Sequence, residues 1–155
     1  MTSRIDILEV APTSFHGLLG INKFVATTGI DKVLSEVVST RVSQINGCAV
    51  CLDMHATALR ENGYPQRNLD VLAAWRDAGD GVFSDRERAA LAWAEAVTQL
   101  HHNEVPDTIY DEARQVFSDE DLVGLTMAVV AINGWNRLNI AFKRTPAYAG
   151  EVVHS

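Results

Sequence analysis

Apolar residues along the chain recur every three or four positions, and no run of six or more residues shows the apolar/polar alternation of a half-buried strand. The pattern predicts an all-α fold. Thr13-Ser14 opens a first periodic segment that runs to about Thr28 and stops at Gly29, and a second runs from Asp31 to about Ile45. Asn46-Gly47 interrupts the periodicity, and a third helix opens there, runs through Cys48, Cys51, His55 and Leu59, and ends at Asn62-Gly63. After the Tyr64-Pro65 turn, Asn68 to Ala78 reads as a shorter helix closed by Gly79 and Gly81. Ser84-Asp85-Arg86-Glu87 is a capping-box pattern and opens an apolar-periodic helix to Leu100. Pro106-Asp107 starts another helix ending near Phe117, and Ser118 caps a long final one to about Phe142.

Within that frame, composition mainly removes possibilities. The 155 residues suit one domain over 1–155, and 47% hydrophobic with 21% charged residues is the balance of a chain that folds. Thirteen Lys and Arg against twenty Asp and Glu give a formal charge of -7, which opposes capture of phosphate backbones and anionic lipid surfaces. Neither nucleic acid nor a membrane is an expected partner. The most apolar stretch, Leu122 to Trp135, is broken by Gly124, Thr126, Asn133 and Gly134, short of the roughly twenty apolar residues a span requires. Met1 to Glu9 carries Arg4, Asp6 and Glu9 and no apolar core of a signal peptide, so a reducing cytoplasm is the expected location.

Against that location the two cysteines stand out, because they are spaced as Cys48-Ala49-Val50-Cys51. In a cytosolic protein this spacing suggests redox or metal chemistry before a structural staple. On a helix opening at Asn46-Gly47, Cys48 falls in the first turn, where unpaired N–H groups and the helix dipole favour a thiolate. Cys48 and Cys51 are i,i+3, Cys51 and His55 i,i+4, so the three share one face and a base stands beside a thiol.

Glu36 joins them by helix arithmetic. One straight helix would separate Glu36 from Cys51 by about 22 Å, but an antiparallel pair reversing at Asn46-Gly47 puts Glu36 and His55 each roughly 14 Å from the turn. The two come level, and a Glu36···His55···Cys51 relay is reasonable: the carboxylate orients the imidazole, the imidazole takes the thiol proton, and Cys48 resolves the product as a disulfide. A metal module using Cys48, Cys51 and His55 is the alternative, although no second C-x-x-C or H-x-x-x-H supplies a fourth ligand. Haem attachment fails because Leu52 follows Cys51, and no βαβ pattern surrounds the motif as in thioredoxin.

Glu36, Cys48, Cys51 and His55 fit E-x(11)-C-x-x-C-x-x-x-H, and the chain from about Phe24 to Phe142 resembles the alkylhydroperoxidase AhpD-like group of the carboxymuconolactone decarboxylase superfamily. The resemblance includes Phe83-Ser84-Asp85-Arg86-Glu87 and Ile132-Asn133-Gly134-Trp135-Asn136-Arg137. It implies an all-helical subunit, assembled as a trimer or hexamer, that reduces peroxides through a cysteine pair regenerated by a dithiol partner, with no bound organic cofactor. Characterised peroxidases of the group carry a histidine between the cysteines where this chain has Val50, which leaves general disulfide exchange open as the reaction. Decarboxylases of the superfamily generally lack the cysteine pair. A lactone decarboxylase with Glu36 and His55 as acid and base is accordingly the second enzymatic reading.

Other residues are assigned no role. His101-His102 suits a helix C-terminus, His16 has no acidic or thiol neighbour on its helix face, and His154 lies in the tail. Trp75, Trp93 and Trp135 are expected in the core or at an interface, with the family resemblance offering the active-site mouth as the second place for Trp135-Asn136-Arg137, and Asp53 and Arg60 are expected at solvated helix positions.

Overall fold

The computed structural model describes residues 3–146, and His154 lies outside them. The elements are α1 (Ile7–Val10), α2 (His16–Val25), α3 (Lys32–Asn46), α4 (Ala49–Glu61), α5 (Gln66–Val71), α6 (Asp85–Gln99), α7 (Asp107–Val116) and α8 (Asp119–Ala141). No strand occurs among the described residues, as the periodicity predicts. Local chemistry sets the helix starts: Asp31 Oδ1 accepts from Leu34 N–H at 2.9 Å, Ser118 Oγ accepts from Asp121 N–H at 3.1 Å, and the Ser84–Glu87 capping box is closed in both directions.

Two elements depart from expectation. The expected Asn68–Ala78 helix is the shorter α5, begun after Pro65 and tightened into a 3-10 turn over Leu72–Ala74. Its continuation is replaced by packing, since Leu69, Leu72 and Trp75 all turn into one apolar cluster with Val37, Leu59 and Leu91. The one-turn helix α1 has no periodic signal; Asp6 caps it by accepting from Leu8 N–H at 3.0 Å, and Ile7 anchors it.

Helices α3 and α8 hold the centre. Helix α3 packs against α4, α6 and α8, and α8 also packs against α2. Because α3 is enclosed on several sides, Val37 faces one cluster while Leu34, Val38 and Val42 face the other, with Trp93, Leu125, Val129 and Ile132. Burying each such side chain fully contributes about 1.5–3 kcal/mol relative to exposure. Gly134 lets α2 approach α8, because a Cβ there would come within 2.8 Å of Leu18 Cδ2.

Glu95, on α6, is the charged group of this core. It accepts from Arg41 Nε at 2.7 Å and Trp75 Nε1 at 2.8 Å, and it pairs with Arg76. Burial pushes its carboxyl upward, but the bonds from Arg76, Trp75 and Arg41 and the Arg41 charge outweigh that, so its pKa lies below the ordinary value. Tyr64 moves the other way: burial, and its hydrogen bond to Glu87 Oε1 at 2.7 Å beside that negative charge, raise its phenol well above the usual range.

Candidate active site

The α3–α4 reversal is made by one residue. Gly47 caps α3 with φ 71° and ψ 34°, the left-handed conformation that costs a residue with a Cβ about 1–2 kcal/mol. Its N–H and that of Cys48, the latter at 3.1 Å, both reach Ser43 O. Side chains from α8 pin the same turn. Asn46 Nδ2 donates to Asn133 Oδ1 at 3.0 Å and Asn136 Oδ1 at 2.8 Å, and Asn136 Nδ2 donates to Ser43 Oγ at 3.0 Å.

Cys48 corrects one expectation. It does not lie within the first turn but stands at the N-cap of α4 with extended backbone, φ -88° and ψ 97°. The rotation at this residue swings its side chain toward Cys51 across a Cα–Cα distance of 5.4 Å, and the two sulfurs form a disulfide. Both cysteines are buried, Cys51 at 0% and Cys48 at 2% exposure.

Antiparallel helices bring Glu36 and His55 together as the arithmetic predicts. Glu36 Oε2 lies 2.6 Å from His55 Nδ1, with both side chains largely enclosed. A carboxylate can only accept, so this contact places the ring proton on Nδ1 and leaves the Nε2 lone pair of a neutral ring free. Nε2 is buried and has no hydrogen-bond partner among the described residues. An unsatisfied buried acceptor ordinarily costs about 1–3 kcal/mol. One helical turn from Cys51, it is a base available for a thiol proton.

The site opens on a cavity of about 770 Å³. Glu36, His55 and Asn139 line it, with Val50, Ile132 and Trp135 among its apolar walls. Neither cysteine is among the lining residues, and Cys51 meets the lining through Asn139, whose Nδ2 lies 3.2 Å from its Sγ. Val50, between the two cysteines in sequence, gives the cavity an apolar wall there. Trp135 is half-buried, packs against the core cluster as expected, lies on Phe15 with ring centroids 5.0 Å apart, and also forms cavity wall. Trp75 and Trp93 are buried as expected, and His16, His101 and His102 are exposed.

Asn139 is the site residue that the motif does not contain. Its Nδ2 donates to Cys51 Sγ at 3.2 Å, and its Oδ1 accepts from Arg144 Nη1 at 3.1 Å. A signal for it exists: the inward stripe Leu122, Leu125, Val129, Ile132 continues at the same spacing into Asn136 and Asn139, both buried. Polar residues on a core stripe require partners, and these find theirs at the turn and at Cys51.

Residues 12–96 match the sequence profile of the Carboxymuconolactone decarboxylase family. The uncharacterized protein YdfG of Bacillus subtilis is 33% identical over 141 residues, spanning 91% of this chain and 95% of YdfG. The alkyl hydroperoxide reductase AhpD of Nocardia farcinica is 38% identical over 74 residues, which are 45% of this chain and 41% of that protein. Among solved structures, a protein of unknown function from Agrobacterium tumefaciens, proposed to be an antioxidant defence protein AhpD, superposes with a TM-score of 0.87 at 32% identity, covering 94% of this chain and 98% of that one. With a C-x-x-C disulfide and a paired Glu and His in the register of that group, this chain belongs to the carboxymuconolactone decarboxylase family and, within it, to the AhpD-like redox proteins.

Proposed function

We propose that the protein is a thiol-dependent peroxidase acting on hydroperoxides that enter the 770 Å³ cavity. The observation that carries this reading is the Glu36–His55 contact of 2.6 Å, one turn from a cysteine pair able to cycle between dithiol and disulfide. In the reduced protein His55 Nε2 takes the proton of Cys51, and Glu36 stabilises the imidazolium that results. The Cys51 thiolate attacks the terminal peroxide oxygen, the O–O bond breaks, and the alkoxide leaves as alcohol after taking a proton. Cys51 is left as a sulfenic acid. Cys48 attacks that sulfur, water departs with the second proton, and the disulfide forms. An external dithiol then reduces the pair by thiol–disulfide exchange.

Val50 on the cavity wall supports a second reading, disulfide reduction by the same pair, because a valine there cannot move a proton to or from the resolving thiol. We further propose a homo-oligomer. Leu19, Phe24, Val123, Val130 and Ile140 are large apolar side chains left exposed, the kind of surface that marks subunit contacts.

Thiol counting by alkylation and mass measurement tests the chemistry. One equivalent of hydroperoxide added to the reduced protein should remove two thiols and yield one Cys48–Cys51 disulfide with one equivalent of alcohol. Loss of no thiols would overturn the peroxidase reading. Lactone turnover that survives substitution of both cysteines would favour the decarboxylase alternative. Light scattering at micromolar concentration should give a multiple of the subunit mass.

A further inference from the structure

We propose that Asn139 is a further catalytic residue of the thiol chemistry, donating from its side-chain amide to Cys51 Sγ to stabilise the thiolate, with Arg144 as the positioning residue that holds the amide in that orientation. The inference rests on the reading of Cys51 as the reacting thiol.

The orientation of the amide follows from its partners. A guanidinium has only donors, so the group that faces Arg144 Nη1 at 3.1 Å is the amide oxygen, and the NH₂ is turned to Cys51 Sγ at 3.2 Å. A disulfide sulfur is a weak acceptor and a thiolate a strong one, so the bond gains most in the reduced, ionised state. Among the described residues no side-chain donor reaches the Cys48 sulfur, so this interaction singles out Cys51. Asn139 is 6% exposed and Cys51 0%, so little water competes for the contact.

The end of α8 is built to deliver Arg144. Phe142 is the C-cap, Lys143 takes a left-handed conformation with φ 51°, Lys143 N–H donates to Ile140 O at 3.1 Å, and Arg144 N–H donates to Asn139 O at 2.9 Å. These are the paired bonds of a Schellman cap. They fold the chain back over the last turn, so that the backbone and side chain of Arg144 both close on Asn139. Arg144 also faces the cavity.

The charged and titratable groups that line the cavity are Glu36 on α3 with His55 on α4, Arg144 after α8, and Asp31 and Lys32 at the N-terminal end of α3, far from the turn that carries the cysteines. On α6, Glu95 is held by Arg41 and Arg76. Asn139 is the neutral donor in this set that touches the sulfur itself.

The test measures the iodoacetamide alkylation rate of Cys51 against pH in the full-length, reduced Cys48→Ser protein, with folding followed by circular dichroism. Asn139→Leu, with the same branching but without a donor, should raise the rate midpoint by about one pH unit, and Asn139→Asp by more, because a carboxylate then faces the thiolate. Arg144→Ala, at an exposed residue, should raise it by a smaller amount. A residue that only packs would alter the melting temperature and leave the midpoint in place, so an unchanged midpoint in folded Asn139→Leu overturns the proposal. Should the leucine variant not fold, Asn139→Ala, which suits a helix, is read by the same criterion. The assay contains no peroxide. A wild-type protein that fails to consume peroxide therefore refutes the proposed function without touching the amide assignment, and a fixed midpoint does the reverse.

Discussion

Glu36 and Glu95 are two enclosed carboxylates on neighbouring helices, and their surroundings could hardly differ more. Glu95 has two guanidinium groups and an indole N–H around it, all permanent donors, and its side chain is 9% exposed. Glu36 has one partner, an imidazole, and opens on the cavity at 20% exposure. Arginine does not titrate in the working range of a protein, whereas histidine does. The knot around Glu95 therefore holds one charge state and serves packing between α3 and α6, while the pair at Glu36 can pass a proton to and from its surroundings. A carboxylate locked among fixed charges stabilises; one paired with a titratable base can take part in chemistry.

That comparison is sharpest where it is broken. Cys51→Ser should lower peroxide turnover roughly 1000-fold or more, as loss of a nucleophile does, with little change in melting temperature. Cys48→Ser should still allow one attack and leave a sulfenic acid on Cys51, detectable by mass or by a sulfenate probe. Sulfenate formed on Cys48 in the Cys51→Ser protein at an undiminished rate would reverse the two roles.

Glu95→Ala is the structural counterpart. It leaves Arg76 and Trp75 without their acceptor and takes the Nε partner from Arg41, and denaturant unfolding should show a loss of about 2–4 kcal/mol, with turnover per folded molecule retained. The pH dependence follows in sign. Because the folded-state pKa of Glu95 is lowered, its stabilisation is complete above the unfolded value of about 4.3 and is lost as pH falls through the lower folded value. Glu95→Gln should flatten the acid limb of the stability profile, and a limb as steep as that of the wild type would assign acid unfolding to other groups.

Glu36→Gln keeps shape and removes the charge that favours a thiolate–imidazolium pair. Its turnover at neutral pH should fall roughly 10- to 100-fold, with the Cys51 alkylation midpoint moving upward between pH 5 and 9 in the Cys48→Ser background. An unchanged midpoint there, beside a clear shift in His55→Ala, would remove Glu36 from the relay and leave a simple Cys–His pair. The smallest effect is expected at the turn itself. A Cβ at Gly47 meets nothing within 4 Å, so Gly47→Ala carries only the backbone cost of its positive φ, about 1 kcal/mol in unfolding free energy.

The legible parts of the molecule are those governed by neighbours in sequence. Ser84 and Glu87 close a capping box within four residues, and the i,i+4 relation of Cys51 to His55 is a property of any helix. Glu36 is the intermediate case: it lies 19 residues from His55, yet a single reversal at Gly47 suffices to bring them level. Helix α5 is shorter than its sequence pattern suggests because Leu72 and Trp75 obey packing against Val37, Leu59 and Leu91 and not the helical period. Trp135 does both things the sequence allowed, packing against the core cluster and lining the cavity, because an apolar face is the same in sequence whether it meets a core or a cavity.

What the sequence determined by itself is the helical frame, the C-x-x-C pair and the register of Glu36 and His55 with it, since these rest on 3.6-residue periodicity, cap chemistry and one turn. What only the tertiary structure decided is the environment of the reacting sulfur. Asn139 is 88 residues from Cys51, and its amide reaches the sulfur because α8 packs against α3 and α4 along a stripe whose last positions are polar. The N-cap position of Cys48 and the fold-back of Arg144 onto Asn139 were decided in the same way, by backbone rotations at Cys48 and Lys143. Contacts of that range depend on the relative placement of whole helices, which is settled by the summed packing of many side chains and is carried by no local pattern.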